Sequence, residues 1–235
     1  LWTLMLLPFF ALLASLQLEK LLSIDLHRLF ASLGRSLLLA LGSTLVALTI
    51  ALLVLPPQAE ALTARRNFKA ALLNWLASHH LVAPAMVLST GIYIGLLADG
   101  ALKQWSLFWL VLLNALLVLP FMLTQLRSSA ASYHQQYNKL IANLKLNLWQ
   151  RAGIYFCYLR PPLLSAFALG LLLALGDVSI FAIFGRYDAP TLPWLIYSYA
   201  GSYRLGEAAI AALLLLMVCA LLLLVLEKSH RQHKV

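Results

Sequence analysis

Acidic side chains are scarce in this chain. It holds eight Asp and Glu among 235 residues, and charged residues of both signs make up only 11%, where a soluble domain carries about 25%. With 63% hydrophobic residues, against about 45–50% in soluble domains, an ordinary water-soluble globule is excluded and lipid is the expected medium. Cysteine is nearly absent. Cys157 follows a basic segment and Cys219 falls in mid-span, so their depths differ too much for a bridge and both are expected as buried or interfacial thiols. No G-x-x-x-x-G-K-[ST], G-x-S-x-G or H-E-x-x-H occurs, so any ATP used must be bound by another subunit. His79 and His80 are adjacent and therefore face different sides of a helix, with no Asp, Glu or Cys nearby; neither a metal nor a cofactor is expected. An intramembrane enzyme would need convergent catalytic side chains, and only Asp177 and these histidines qualify, at different depths. The net charge of +9 does not indicate nucleic acid, because the basic residues are interspersed with apolar runs and form no continuous face.

What the chain does contain is long apolar runs, near residues 1–17, 36–55, 72–97, 105–125, 162–184 and 207–226. About 20 apolar residues at 1.5 Å each cross the hydrocarbon layer. In lipid a single run must satisfy its own backbone, so the expected fold is all-α, a polytopic integral membrane domain of six transmembrane helices spanning residues 1–235. The first run is short, and the chain opens on LWTLMLLPFF without an initiator Met or a basic n-region, as expected of a piece of a longer protein. EKSHRQHKV reads as a natural end.

Lysine and arginine set the orientation. One side of a six-span bundle collects Arg65, Arg66 and Lys69, then Arg127, Lys139, Lys145, Arg151 and Arg160, then Lys228, Arg231 and Lys234, with only Glu60 and Glu227 as acids. The other side has Lys20, Arg28, Arg35, Lys103, Arg186 and Arg204, balanced by Glu19, Asp25, Asp99, Asp188 and Glu207. The positive-inside rule places both ends and the segment 126–161 in the cytoplasm. Residues 18–35 are too charged to span but keep apolar residues at helical spacing, which predicts an amphipathic helix along the outer interface, either a docking surface or a connector over the bundle.

The segment 126–161 is long for a helix connection in a bundle. Within it Leu140, Ile141, Leu144 and Leu148 share one helical face. Such a short amphipathic helix suits either a groove on a soluble partner or the lipid headgroups, where Trp149 and the lysines would hold it. A scaffold without transport activity has no evident use for this segment followed by Leu159-Arg160-Pro161-Pro162.

Leu140-Ile141-Ala142-Asn143-Leu144, Trp149 and Leu159-Arg160-Pro161 resemble the cytoplasmic "EAA" loop in permease subunits of bacterial ATP-binding-cassette importers. Lys139 stands where that motif has Glu, Lys145 where it has Gly, and Cys157 where Pro is usual. Pro84-Ala85-Met86-Val87-Leu88-Ser89-Thr90-Gly91 resembles a further span of the family, and Asn114-Ala115-Leu116 through Pro120-Phe121 the span before the loop. Downstream, Leu175-Gly176-Asp177, Ala182-Ile183-Phe184-Gly185, Thr191-Leu192-Pro193-Trp194, Tyr197 and Gly201-Ser202-Tyr203-Arg204 resemble the C-terminal half of thiamine-importer permeases; ferric iron or another small solute is the alternative cargo.

The resemblance implies the type I importer permease fold in a bacterial inner membrane. It also implies alternating access, driven by a cytoplasmic ATPase dimer and fed by a periplasmic thiamine-binding protein. An N-terminal six-helix half, or a second copy, would complete the pathway. It assigns ATPase coupling to Lys139, Leu140, Ile141, Leu144, Lys145, Leu148 and Trp149, and the pathway or gate to Gly176, Asp177 and Gly185. Docking of the binding protein falls to Trp194, Tyr197, Tyr203 and Arg204. Asp177 is the one acid well inside an apolar run. Two roles fit it: a gate or counter-charge for the cationic thiazolium ring, and a helix-packing residue bonded to a neighbouring span. The aromatics of 185–206 fit substrate stacking or an interfacial belt.

Overall fold

Leucine and alanine dominate this chain, and helices follow wherever their runs permit. The computed structural model describes residues 25–63, 85–98, 102–144, 147–185 and 188–232, together with Leu12. Among the described residues the elements are α1 (Leu26–Thr63), α2 (Ala85–Ala98), α3 (Leu102–Asn143), α4 (Leu148–Gly176), α5 (Ser179–Phe184), α6 (Leu192–Gly201) and α7 (Leu205–Gln232). Four stretches are long and apolar enough to cross a membrane: Leu26–Pro56, Trp105–Tyr137, Trp149–Gly176 and Leu205–Leu224; Met86–Leu97 is a shorter apolar helix. The protein is an all-α, multi-pass membrane protein. The expected run 1–17 lies outside the described residues, Leu12 apart, as does 72–84 of the run 72–97.

The centre is a three-helix contact between α1, α3 and α4. α1 brings small side chains to it, Ala40, Ala47 and Ala51 being fully buried, and small residues let membrane helices approach closely. Gly170 of α4 marks the tightest point. A Cβ there would meet the Met122 methyl group, with Thr44 at 3.0 Å and Val118 at 3.1 Å.

Paired contacts fix the helix directions. Ser36, Asn114 and Ala174 line one cleft; Thr44, Val118, Met122 and Gly170 meet at the next level; Gln125 donates to Ser165 at 3.3 Å below that; Tyr133 meets Tyr155 beyond. Numbers rise along α1 and α3 while they fall along α4, so α1 and α3 are parallel and α4 is antiparallel to both. Thr63 and Leu102 therefore stand at opposite ends of the bundle. α6 packs under the start of α1, where Leu29, Leu192, Leu195, Tyr199, Ala208 and Ala211 cluster. α7 departs from there and its Leu222 packs against the main core.

Two boundaries differ from the sequence reading. Residues 26–35 form no separate interfacial helix; they are the first turns of α1, because Leu29, Ser32 and Ser36 are buried on the same face that continues through Ala40 and Thr44. The segment 126–161 is mostly helix, not loop. Leu126, Ala130 and Tyr133, spaced i, i+4, i+7, stay buried and carry α3 on to Asn143. At 42 residues, α3 is about 63 Å long, roughly twice the hydrocarbon thickness. Its final turns and the start of α4 thus form a hairpin that extends past the bundle core.

Candidate functional site

At the hairpin end, the break between α3 and α4 is confined to 144–147. Asn143 and Asn147 flank it, residues that favour helix ends because their side chains compete for backbone groups. Asn147 caps α4: its carbonyl accepts from the Arg151 N–H at 3.0 Å, and its own N–H donates to Gln150 Oε1 at 3.1 Å, the return half of a capping box. The expected amphipathic helix through 140–148 is therefore divided. Lys139, Leu140 and Ile141 fall in the last turns of α3, Leu144 in the turn, and Leu148 and Trp149 at the start of α4. Lys145 lies outside the described residues. Leu144 and Trp149 are strongly exposed, at 58% and 86%: two apolar side chains at the tip of a projecting hairpin.

Behind the tip, four tyrosines join the two helices. The Tyr133 ring lies 4.9 Å from Tyr155, 5.4 Å from Tyr158 and 5.4 Å from Tyr137, and Tyr137 lies 5.6 Å from Tyr158. Edge-to-face and tilted pairs of this kind add about 0.5–1.5 kcal/mol each beyond burial. The neck is thus an aromatic joint that packs α3 against α4. The sequence reading did not single out these residues; the tyrosine pairs at 133, 137 and 155, 158 are the signal that could have found them.

At the opposite end, α4 stops at Gly176, and Asp177 stands just ahead of α5, whose N-cap position is Val178. The Asp177 carboxylate accepts from the Ser179 N–H (3.2 Å), the Ser179 hydroxyl (2.6 Å) and the Ile180 N–H (3.2 Å). The acid is satisfied locally and interrupts the apolar run 162–184. Gly185 closes α5, donating to the Phe181 carbonyl at 2.7 Å; a Cβ on it would collide with the Phe181 ring and carbonyl, so glycine alone fits. Asp177 lines a small cleft with Ser36, Asn114, Thr191 and Phe181. The Ser36 hydroxyl accepts from the Leu192 N–H at 2.7 Å, tying α1 to α6. Gly176 is exposed beside the cleft and Gly185 half-buried, so of the three expected gate residues Asp177 alone lines it.

The aromatic segment divides in two. Trp194 packs inward, 6.0 Å from Phe181 and 5.5 Å from Tyr197. Arg204 is engaged within the fold: its Nε donates to Glu207 Oε1 at 3.0 Å, a second contact makes an ion pair, and its guanidinium lies 4.7 Å over the Tyr199 ring. Tyr197 and Tyr203 are exposed, at 62% and 90%. Tyr203 has φ 60°, a left-handed conformation that glycine adopts freely and tyrosine only at a cost. The turn holds it there through Ser202, Tyr203 and Arg204 N–H groups donating to the Ser198, Ala200 and Tyr199 carbonyls.

No family model matches the chain. Curated relatives do. It is 37% identical over 199 residues to the thiamine transport system permease protein ThiP of Haemophilus influenzae, covering 83% of this chain and 36% of that protein. It is 30% identical over 201 residues to the same-named protein of Escherichia coli, covering 85% and 38%. It is 29% identical over 221 residues to that of Brucella abortus, covering 91% and 40%. The chain spans about two fifths of the length of these relatives. Identity along more than four fifths of a multi-helix membrane chain places this protein in the family of the thiamine transport system permease proteins, as the counterpart of part of one.

Proposed function

We propose that this chain is the C-terminal, six-span half of a membrane permease that imports thiamine or its phosphate esters, driven by a separate ATPase. The observation that carries the reading is the projecting α3–α4 hairpin: two apolar side chains, Leu144 and Trp149, at a water-exposed tip, braced by the tyrosine neck. A tip of this kind fits a groove in a soluble partner. The basic charge at that end, Arg127, Arg151 and Arg160 with no acid between 100 and 176, supports a cytoplasmic location in the inner membrane, with both ends of the segment on the same side. The parallel course of α1 and α3 supports a further crossing between them. The cargo reading rests on the thiamine transport named for the relatives.

In this reading an ATPase dimer moves Lys139, Leu140, Ile141, Leu144, Lys145, Leu148 and Trp149 as one lever. The hairpin carries α3 and α4 with it, and the bundle rocks against an N-terminal half, or a second copy, to expose the pathway to each side in turn. The permease performs no covalent chemistry. Gly176, Asp177 and Gly185 form the gate region, and a periplasmic thiamine-binding protein docks over Trp194, Tyr197, Tyr203 and Arg204. Proteoliposomes holding the full permease test the proposal. Thiamine should accumulate only when ATPase, ATP and binding protein are all supplied; accumulation without the ATPase, or of ferric iron in place of thiamine, refutes it.

Tyr203 tests the docking face on its own. Glycine at 203 relieves the left-handed strain and should stabilise the turn by roughly 1 kcal/mol. If the exposed ring contacts the binding protein, Tyr203→Gly raises thermal stability while weakening binding-protein affinity about 10-fold, read by thermal melting and by pull-down. Unchanged affinity removes Tyr203 from the docking face.

A further inference from the structure

The cleft at the Asp177 end gathers hydrogen-bonding side chains inside an apolar bundle. Asn114 is 6% exposed and Thr191 5%. The Asn114 amide makes one long contact, Nδ2 to the Ala174 carbonyl at 3.5 Å, at the limit of what counts as a bond. Its Oδ1 and the Thr191 hydroxyl are buried without a hydrogen-bond partner among the described residues. Both residues line the same cleft as Asp177. Leaving such groups unpaired is costly in water and more so in lipid, where no solvent can substitute.

Acceptors predominate among the side chains that line it, beside Thr191, the N-cap residue of α6. The Asn114 Oδ1 and the Asp177 carboxylate are acceptors. α4 ends at Gly176, so its last carbonyls and the negative end of its dipole face the same region. Among the described residues no lysine or arginine lines the cleft. Its free space fits a group about the size of one water molecule, enough for an amine but not for a ring.

We propose that the Asn114–Thr191–Asp177 cleft is a substrate-contact site that receives a hydrogen-bond-donating amino group of the transported solute. This rests on the permease reading. Thiamine carries one exocyclic amine on its pyrimidine, and a rigid acceptor set rejects an analogue that cannot donate in the same way.

The test uses the complete importer in proteoliposomes with saturating binding protein. The probes are thiamine and its analogue with the exocyclic amine replaced by hydroxyl. Asn114→Leu removes the unpaired amide at similar volume, so it should melt at or above the wild-type temperature. It should also copurify with the ATPase, take up thiamine at least 10-fold more slowly, and lose the wild-type preference for amine over hydroxyl. Thr191→Val should reduce that preference in the same direction. Four results overturn the site: Asn114→Leu uptake within twofold of wild type; an unchanged preference in Thr191→Val; loss of Asn114→Leu uptake only in step with a fall in melting temperature; and wild-type uptake that collapses when sodium is replaced by choline, which would assign the oxygens to a metal ion. Failure of the wild-type importer to move thiamine at all would instead refute the permease reading beneath it.

Discussion

Replacing Leu144 by aspartate is expected to separate the permease from its ATPase while leaving the bundle folded. Leu144 is 58% exposed in the 144–147 turn, so it contributes little to the core, and a surface change of this type stays within about 0.5 kcal/mol of wild-type stability. At an interface the balance reverses. A leucine seated in a partner's groove is an anchor whose loss costs about 2 kcal/mol or more, and a buried unpaired carboxylate adds to that. Combined, ATPase affinity should fall on the order of 100-fold. Copurification from detergent and ATP-dependent uptake are the readouts. An undisturbed complex with normal uptake would leave the hairpin without a role in coupling.

The second large effect is expected at Asp177. Its carboxylate accepts three hydrogen bonds from Ser179 and Ile180 at the start of α5. Asparagine retains a side-chain oxygen for the two Ser179 donors and gives up the bond from the Ile180 N–H, a cost of roughly 0.5 kcal/mol, so Asp177→Asn should still assemble. What it removes is the negative charge beside Asn114 and Thr191, in a setting where charge interactions are strong because water is sparse. Uptake of a cationic solute should therefore drop by about 10-fold, equivalent to ~1.4 kcal/mol, at unchanged complex yield. Asp177→Ala serves as the contrast: it loses the cap as well, at a cost of about 1 kcal/mol, and should reduce yield too. If Asp177→Asn lowers uptake and assembly in equal measure, the residue is a structural cap and no more.

These two residues show how far the sequence was legible. Leu144 stood out because an apolar residue recurs at helical spacing in a basic, acid-free segment. Asp177 stood out because a carboxylate in an apolar run is costly. The runs 36–55, 105–125 and 207–226 were equally plain, since hydropathy reads directly on lipid exposure. The continuation of α3 to Asn143 was not. It depends on Leu126, Ala130 and Tyr133, whose helical spacing is present in the sequence but whose burial comes only from partners on the neighbouring helices. The early start of α1 at Leu26 escaped for the same reason: charged residues at 25, 28 and 35 mark an interface by composition, while Leu29, Ser32 and Ser36 are buried against α6 and its neighbours.

Asn114 is the instructive omission. It is a polar residue in the apolar run 105–125, but its amide is neutral and lacks the cost of a charge in lipid that drew notice to Asp177. Its partnerless oxygen becomes visible only when α3, α4 and the start of α6 are brought together. Arg204 reads as a docking residue in sequence; it is exposed, with Glu207, one turn along, and the Tyr199 ring fixing the direction of its guanidinium. Short-range pairs of this type are legible only once the turn at Tyr203 has set their direction.

The central claim is that the 144–147 turn faces the cytosol and contacts the ATPase. A single cysteine tests it most directly. In a permease carrying Cys157→Ser and Cys219→Ser, Leu144→Cys is offered a membrane-impermeant maleimide in inside-out and in right-side-out vesicles. The account predicts rapid labelling in inside-out vesicles alone, suppressed when the ATPase is bound. Labelling from the outer face, or equal labelling with and without the ATPase, would contradict it.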